Sequence, residues 1–163
     1  MNGQPIEILL VEDQPDDVRL AMHAFRTFDI ADRVHVLQDG AEAIAFLLCT
    51  PPYEHRATHE PPRLVLLDLH LPKVDGLEVL RCLKSDPRTQ RIPIVVLTSS
   101  RQESDLLESY RLGANSYIVK PVDFEVFLSV VRELGRYWLV RNELPCDSSD
   151  LRQQSRSLPK ELS

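Results

Sequence analysis

The sequence predicts an α/β fold, a doubly wound five-stranded parallel sheet in the order 2-1-3-4-5. Three observations lead there. Short, nearly unbroken apolar runs recur along the chain, and a stretch with helical periodicity follows each of them. Strands that are apolar on both faces belong in a parallel sheet covered by helices on each side. Each run also ends in a polar residue, as expected where an open parallel sheet presents its site at the carboxyl ends of the strands.

The first run is Ile6 to Val11, closed by Glu12 and Asp13. Val18, Ala21, Met22 and Phe25 then recur at helical spacing, with Asp16 or Asp17 available to cap the helix start. Val34 to Leu37 reads as the second strand, Asp39-Gly40 as a turn, and Ala41 to Leu48 as the second helix. Cys49 to Pro62 carries Pro51, Pro52, Pro61 and Pro62 without any period and reads as a long loop. His55 and His59 are four apart but lie in this loop, so a solvated role is expected rather than a metal pair.

Leu64 to Leu69 is the strongest strand signal, apolar except for Asp68. Gly76, Val79, Leu80 and Leu83 mark a third helix that stops near Asp86-Pro87. Ile94 to Leu97 is a β-branched strand ending at Thr98-Ser99, and a polar helix from Glu103 to Leu112 follows, with Gly113 as its stop. Ser116 to Val119 is the fifth strand, ending at Lys120-Pro121. The last helix carries Phe124, Phe127, Leu128, Val131 and Trp138 on one stripe, expected to be core, with Trp138 equally suited to an interface. Right-handed crossovers between parallel strands leave few topologies for five such units. Residues 1–142 are expected to form one domain and residues 143–163 a polar, loosely attached tail.

Composition narrows the function. A net charge of −6 argues against a nucleic-acid surface, which needs clustered Lys and Arg. No apolar run approaches the roughly 18 residues of a membrane span. Cys49, Cys82 and Cys146 are odd in number and widely spaced, which suits reduced thiols and a cytoplasmic location better than a disulfide framework.

In the predicted strand order, the ends of strands one, three, four and five are neighbours, so Glu12, Asp13, Asp68, Thr98 and Lys120 converge. Packed carboxylates repel one another, and a hard divalent cation held by oxygen ligands relieves that; Mg2+ suits such a set. A carboxylate presented rigidly by an apolar strand can attack a phosphoryl group. Lys120 can neutralise phosphoryl oxygens and the Thr98 hydroxyl can bond to one.

These segments resemble the receiver domain of two-component response regulators, a flavodoxin-like fold. The strings that carry the resemblance are Leu9-Leu10-Val11-Glu12-Asp13, Leu67 to Pro72, Asp75-Gly76, Leu97-Thr98-Ser99 and Lys120-Pro121, spread over about residues 6–140. The resemblance implies Asp68 as phosphoacceptor for a histidine kinase and Mg2+ held by Asp13 and Asp68. Glu12 would act through a metal-bound water, and His70 would contribute its backbone carbonyl. It implies Thr98 and Tyr117 as the switch pair, Lys120 as the phosphate-binding lysine, and a cis peptide before Pro121. A narrower resemblance, to small regulators of bacterial phytochrome kinases, rests on Asp16 to Leu20, the long loop, and Tyr137-Trp138-Leu139 with Leu144-Pro145. It implies a homodimer through helix 4, strand 5 and helix 5. Too few residues follow the last helix for a DNA-binding domain, so output is expected through the protein's own surface.

Three other readings of the same residues compete. An aspartate-nucleophile phosphatase of haloacid-dehalogenase type would carry a second Asp two residues after the nucleophile, where this chain has His70. A flavin domain of the same sheet order would need a Ser/Thr/Gly-rich phosphate loop after the first strand, where this chain has Glu12 to Asp17. A receiver-like scaffold that is never phosphorylated would not require the acidic cluster and lysine to be intact.

Overall fold

The computed structural model describes residues 5–58 and 60–145. Five parallel strands run β1 (Ile8–Val11), β2 (Val34–Leu37), β3 (Leu64–Leu67), β4 (Ile94–Thr98) and β5 (Ser116–Val119). They pair in the order β2-β1-β3-β4-β5, as expected from the sequence. Val11 lies beside Leu37 and Leu67, Leu67 beside Val96, and Thr98 beside Val119, which aligns the carboxyl ends of all five strands.

Alternation along the strands divides the core in two. Leu9, Val11, Val65, Leu67, Ile94 and Val96 point to one face. There they meet Phe46 and Leu47 of α2 (Gly40–Leu48) and Val79, Leu80 and Leu83 of α3 (Gly76–Ser85). Ile8, Leu10, Leu64, Leu66, Val95 and Leu97 point to the other. Their partners are Ala21, Ala24 and Phe25 of α1 (Pro15–Thr27) and Phe127, Val131 and Leu134 of α5 (Phe124–Arg136). Burying both faces of three central strands in this way is the largest stabilising term in the fold. α4 (Glu103–Arg111) is different: Ser109 is its one buried residue, and Leu107 and Tyr110 are largely exposed.

Local chemistry sets the helix ends. Asp39, Asp75 and Asp123 each accept a backbone N–H at the start of α2, α3 and α5. α1 starts otherwise than expected: Gln14 precedes Pro15 and makes no side-chain cap, while Asp16 and Asp17 lie within the first turn. Proline at the first position has no N–H to satisfy, so the capping demand is smaller. Gly113, after α4, has φ +107°, a conformation that L side chains rarely adopt.

Several details depart from expectation. The loop over 49–62 contains a 3₁₀ turn, Glu54–Thr58, anchored by Tyr53, whose hydroxyl donates to Glu42 at 2.5 Å, and by Arg56 stacked 3.6 Å over Phe46. A second 3₁₀ turn, Ala31–Arg33, precedes β2. Phe124 is not core but 41% exposed, because the stripe of α5 enters the sheet only from Phe127 onward. α5 continues into a π-helical turn, Tyr137–Arg141, where Trp138 packs on the α1/α5 core while Tyr137 and Val140 face outward. His59 and residues 146–163, including Cys146 and most of the expected tail, lie outside the described residues. Cys49 and Cys82 are free thiols.

The end of the sheet opposite the strand termini is braced by one side chain. Asn115 Oδ1 accepts from the Ile94 N–H at 2.9 Å and from Lys84 Nζ at 3.0 Å. Lys84 Nζ also donates to the Ile92 carbonyl at 2.8 Å. Asn115→Ala leaves the Ile94 N–H without its acceptor and should cost about 1–2 kcal/mol, read as a lower urea midpoint at unchanged slope.

Candidate functional site

The site residues expected from the sequence follow from where apolar strands stop. β1 ends at Val11, and the Glu12 N–H still donates to the Leu37 carbonyl at 3.0 Å, which holds the acidic pair at the sheet edge. β3 ends at Leu67, and the Asp68 N–H donates to the Val11 carbonyl at 3.1 Å. Asp68 thus lies one residue past the strand rather than inside it, fixed by the ladder on one side and a buried Leu69 on the other. The Lys120 N–H donates to the Thr98 carbonyl at 2.7 Å just beyond β5, so the lysine leaves the sheet beside β4.

Carboxylate oxygens of Glu12, Asp13 and Asp68 lie within 4.8 Å of one another. Glu12 and Asp68 are buried, and Asp13 Oδ1 is buried with no hydrogen-bond partner. A solvent-excluded acceptor without a donor costs free energy unless something positive meets it. Three hard oxygen donors, one of them unsatisfied, fit a small divalent cation.

Lys120 supplies the opposing charge. Its Nζ donates to Glu12 at 2.5 Å, Asp17 at 2.8 Å and Asp68 at 3.1 Å, which uses all three of its hydrogens. Burial pushes the Glu12 carboxyl up to about 7, against the pull of the Lys120 bond and with the Asp68 charge adding to the rise. Burial works against the Lys120 charge, but the bonds to Asp17 and Glu12 and the charge of Asp68 outweigh it, so its pKa rises.

The remaining sequence candidates fall around this centre. Thr98 is fully buried, and its Oγ1 accepts from the Ser100 N–H at 3.3 Å. The Tyr117 ring is half-buried against the α2/α3 core, and its hydroxyl donates to the Ser100 carbonyl at 3.1 Å. The His70 side chain is exposed, while its N–H donates to Asp68 Oδ1 at a long 3.4 Å. The expected cis peptide before Pro121 is absent: among the described residues the cis bond is Pro51–Pro52, and Lys120–Pro121 is trans. The two isomers before proline differ by only about 0.5–1 kcal/mol in a free chain, so surrounding contacts decide between them.

Two contacts were not foreseen from the sequence. Asp17, taken there as a cap, turns inward to Lys120; its position four residues after Asp13, on the turn that leaves the site, was the available signal. The second involves Ser100, two residues past the end of β4, whose hydroxyl donates to Asp105 in the first turn of α4 at 2.5 Å. That bond ties the loop after β4 to the helix behind it.

Residues 8–132 match the model of the response regulator receiver domain. The chain is 42% identical over 141 residues to the probable methanogenesis regulatory protein FilR2 of Methanothrix harundinacea, covering 86% of this chain and 88% of the relative. It is 41% identical over 144 residues to response regulator Rcp1 of Synechocystis, covering 88% of this chain and 96% of the relative. The Mn2+-bound form of Rcp1 superposes with a TM-score of 0.78 at 41% identity, over 87% of this chain and 100% of that one. The phosphorylated cyanobacterial phytochrome response regulator RcpA superposes with a TM-score of 0.79 at 40% identity, over 88% of this chain and 100% of that one. With the family model spanning most of the sheet and these relatives matched over nearly their full length, the chain belongs to the response regulator receiver domain family.

Proposed function

We propose that this receiver takes a phosphoryl group from a histidine kinase on Asp68, with Mg2+ as the working cation, over a domain spanning about residues 1–142. The observation that carries the reading is the Glu12–Asp13–Asp68 cluster closed by Lys120, with one buried Asp13 oxygen unpartnered. An Asp68 oxygen attacks the phosphorus of a phosphohistidine, the P–N bond breaks, and its electron pair stays on the imidazole nitrogen. Lys120 balances charge on the phosphoryl oxygens, and the Thr98 hydroxyl is their hydrogen-bond donor once it leaves its contact with Ser100. Asp13 and Asp68 would hold the cation directly, with Glu12 through water and the His70 carbonyl completing the set. When bound, the cation neutralises the carboxylates and the charge developing at phosphorus.

The likeness to a phytochrome response regulator supports a phytochrome kinase as donor. Leu106, Leu107, Tyr110, Val122 and Val126, all exposed, support a homodimer across α4, β5 and α5, with Tyr117 and Thr98 linking that face to the site. The phosphatase reading gains no support: position 70 is histidine, exposed and away from Lys120's bonds.

The test is incubation with acetyl phosphate, with and without Mg2+, followed by intact mass. One phosphoryl adduct that requires Mg2+ is expected, with Asp13→Asn needing at least tenfold more Mg2+. An adduct independent of both would overturn the assignment.

A further inference from the structure

We propose that Asp17 is a positioning residue for Lys120: it holds the ammonium before phosphorylation and gives it up to a phosphoryl oxygen afterwards. The inference rests on the reading of Asp68 as phosphoacceptor. Lys120 Nζ has three hydrogens, and Glu12, Asp17 and Asp68 take one each. Phosphorylation turns the Asp68 carboxylate into an acyl phosphate, so the bond that Lys120 makes to Asp68 passes to a phosphoryl oxygen, and a second phosphoryl bond requires the release of Glu12 or Asp17. These two differ in what release would cost. The side chain of Glu12 is 4% exposed, and a buried carboxylate stripped of its cation is strongly penalised. Asp17 is 36% exposed, so water can replace the lysine there. It also lies in the first turn of α1, where the positive end of the helix favours a carboxylate without any partner. Asp17 is therefore the bond that yields. Until it does, it competes with the phosphoryl group for the same cation.

Titrating the protein with beryllofluoride and Mg2+, with the bound fluoride followed by fluorine NMR, tests the exchange. Asp17→Asn should tighten the adduct about three- to fivefold, the scale of a part-exposed ion pair. Asp17→Glu, which restores the charge, should return it toward the parent value. Asp16→Asn removes the same charge from the same turn, but Asp16 is 89% exposed and faces Arg19, so it should change nothing. Unchanged or weaker binding in Asp17→Asn, or an equal gain in Asp16→Asn, would refute the role of Asp17. Failure of the unsubstituted protein to form any adduct would instead remove the phosphoacceptor reading, and this inference with it.

Discussion

Asp68→Asn should abolish the phosphoryl adduct while leaving the protein folded, and it is the largest functional effect expected of any single change. An amide oxygen is a poor nucleophile and cannot carry the acyl phosphate, so the loss is complete rather than graded. The other carboxylates do not stand in for it. Glu12 is held at 2.5 Å by Lys120 and its carboxyl is pushed up to about 7 by burial, and Asp17 is held at 2.8 Å by the same lysine from the first turn of α1. The amide oxygen can still accept from Lys120, while the NH2 replaces the oxygen that receives the long 3.4 Å bond from the His70 N–H, so the weaker of the two side-chain bonds is the one lost. One negative charge leaves a cluster of four carboxylates around one ammonium, so the melting temperature in the absence of metal should stay level or rise. Intact mass after acetyl phosphate treatment and a thermal melt give the two readouts. An adduct that persists in Asp68→Asn would move the acceptor elsewhere. A collapse of the melt would mean that Asp68 is a structural acid.

Most of this site was legible because it is built from strand ends. An apolar run such as Leu64 to Leu67 can be placed in a covered parallel sheet from sequence alone, and the polar residue that stops it is then placed too. The alternation of Leu9 and Val11 against Ile8 and Leu10 also follows from the pleat, once both faces are known to be covered. What could not be read depends on relative rotation of elements. Asp16 and Asp17 look alike in sequence, yet one faces solvent and Arg19 while the other faces Lys120. Only the phase of α1 against β5 separates them. Phe124 looked like core for the same reason: a stripe gives the face of a helix but not the turn at which it meets the sheet. The 3₁₀ turn at Glu54–Thr58 has no period to detect, because its order comes from Tyr53 and Arg56 closing on α2. The isomer at Lys120–Pro121 was misjudged because a small local preference is settled by distant contacts.

Gly76→Ala tests how closely the fold and the site are joined. A Cβ on Gly76 would lie 2.3 Å from the Asp68 carbonyl oxygen and 2.5 Å from Leu69 Cα. Both are backbone atoms, so no rotamer change relieves the clash. The helix cannot retreat either, since Val79, Leu80 and Leu83 of α3 are packed into the core. Something must shift, and the Asp68–Leu69 segment is the thinnest element between them. On the other side of the same loop, a Cβ on Gly40 at the start of α2 would lie 1.9 Å from the Val74 carbonyl oxygen. The loop that follows the acceptor is thus wedged between two helix starts that admit no side chain. Overpacking without relief should cost about 2–4 kcal/mol and lower the melting temperature by roughly 10 °C. A displacement of Asp68 by a fraction of an ångström should also slow phosphoryl uptake by about tenfold or more. Gly113→Ala is the contrast. Its nearest neighbour is a side-chain atom, Lys84 Cγ at 3.1 Å, rather than backbone, and its main penalty comes from φ +107°. It should destabilise by about 1 kcal/mol and leave phosphoryl uptake intact. If Gly76→Ala lost stability but kept normal uptake, the rigidity of the acceptor would have to come from the strand ladder alone.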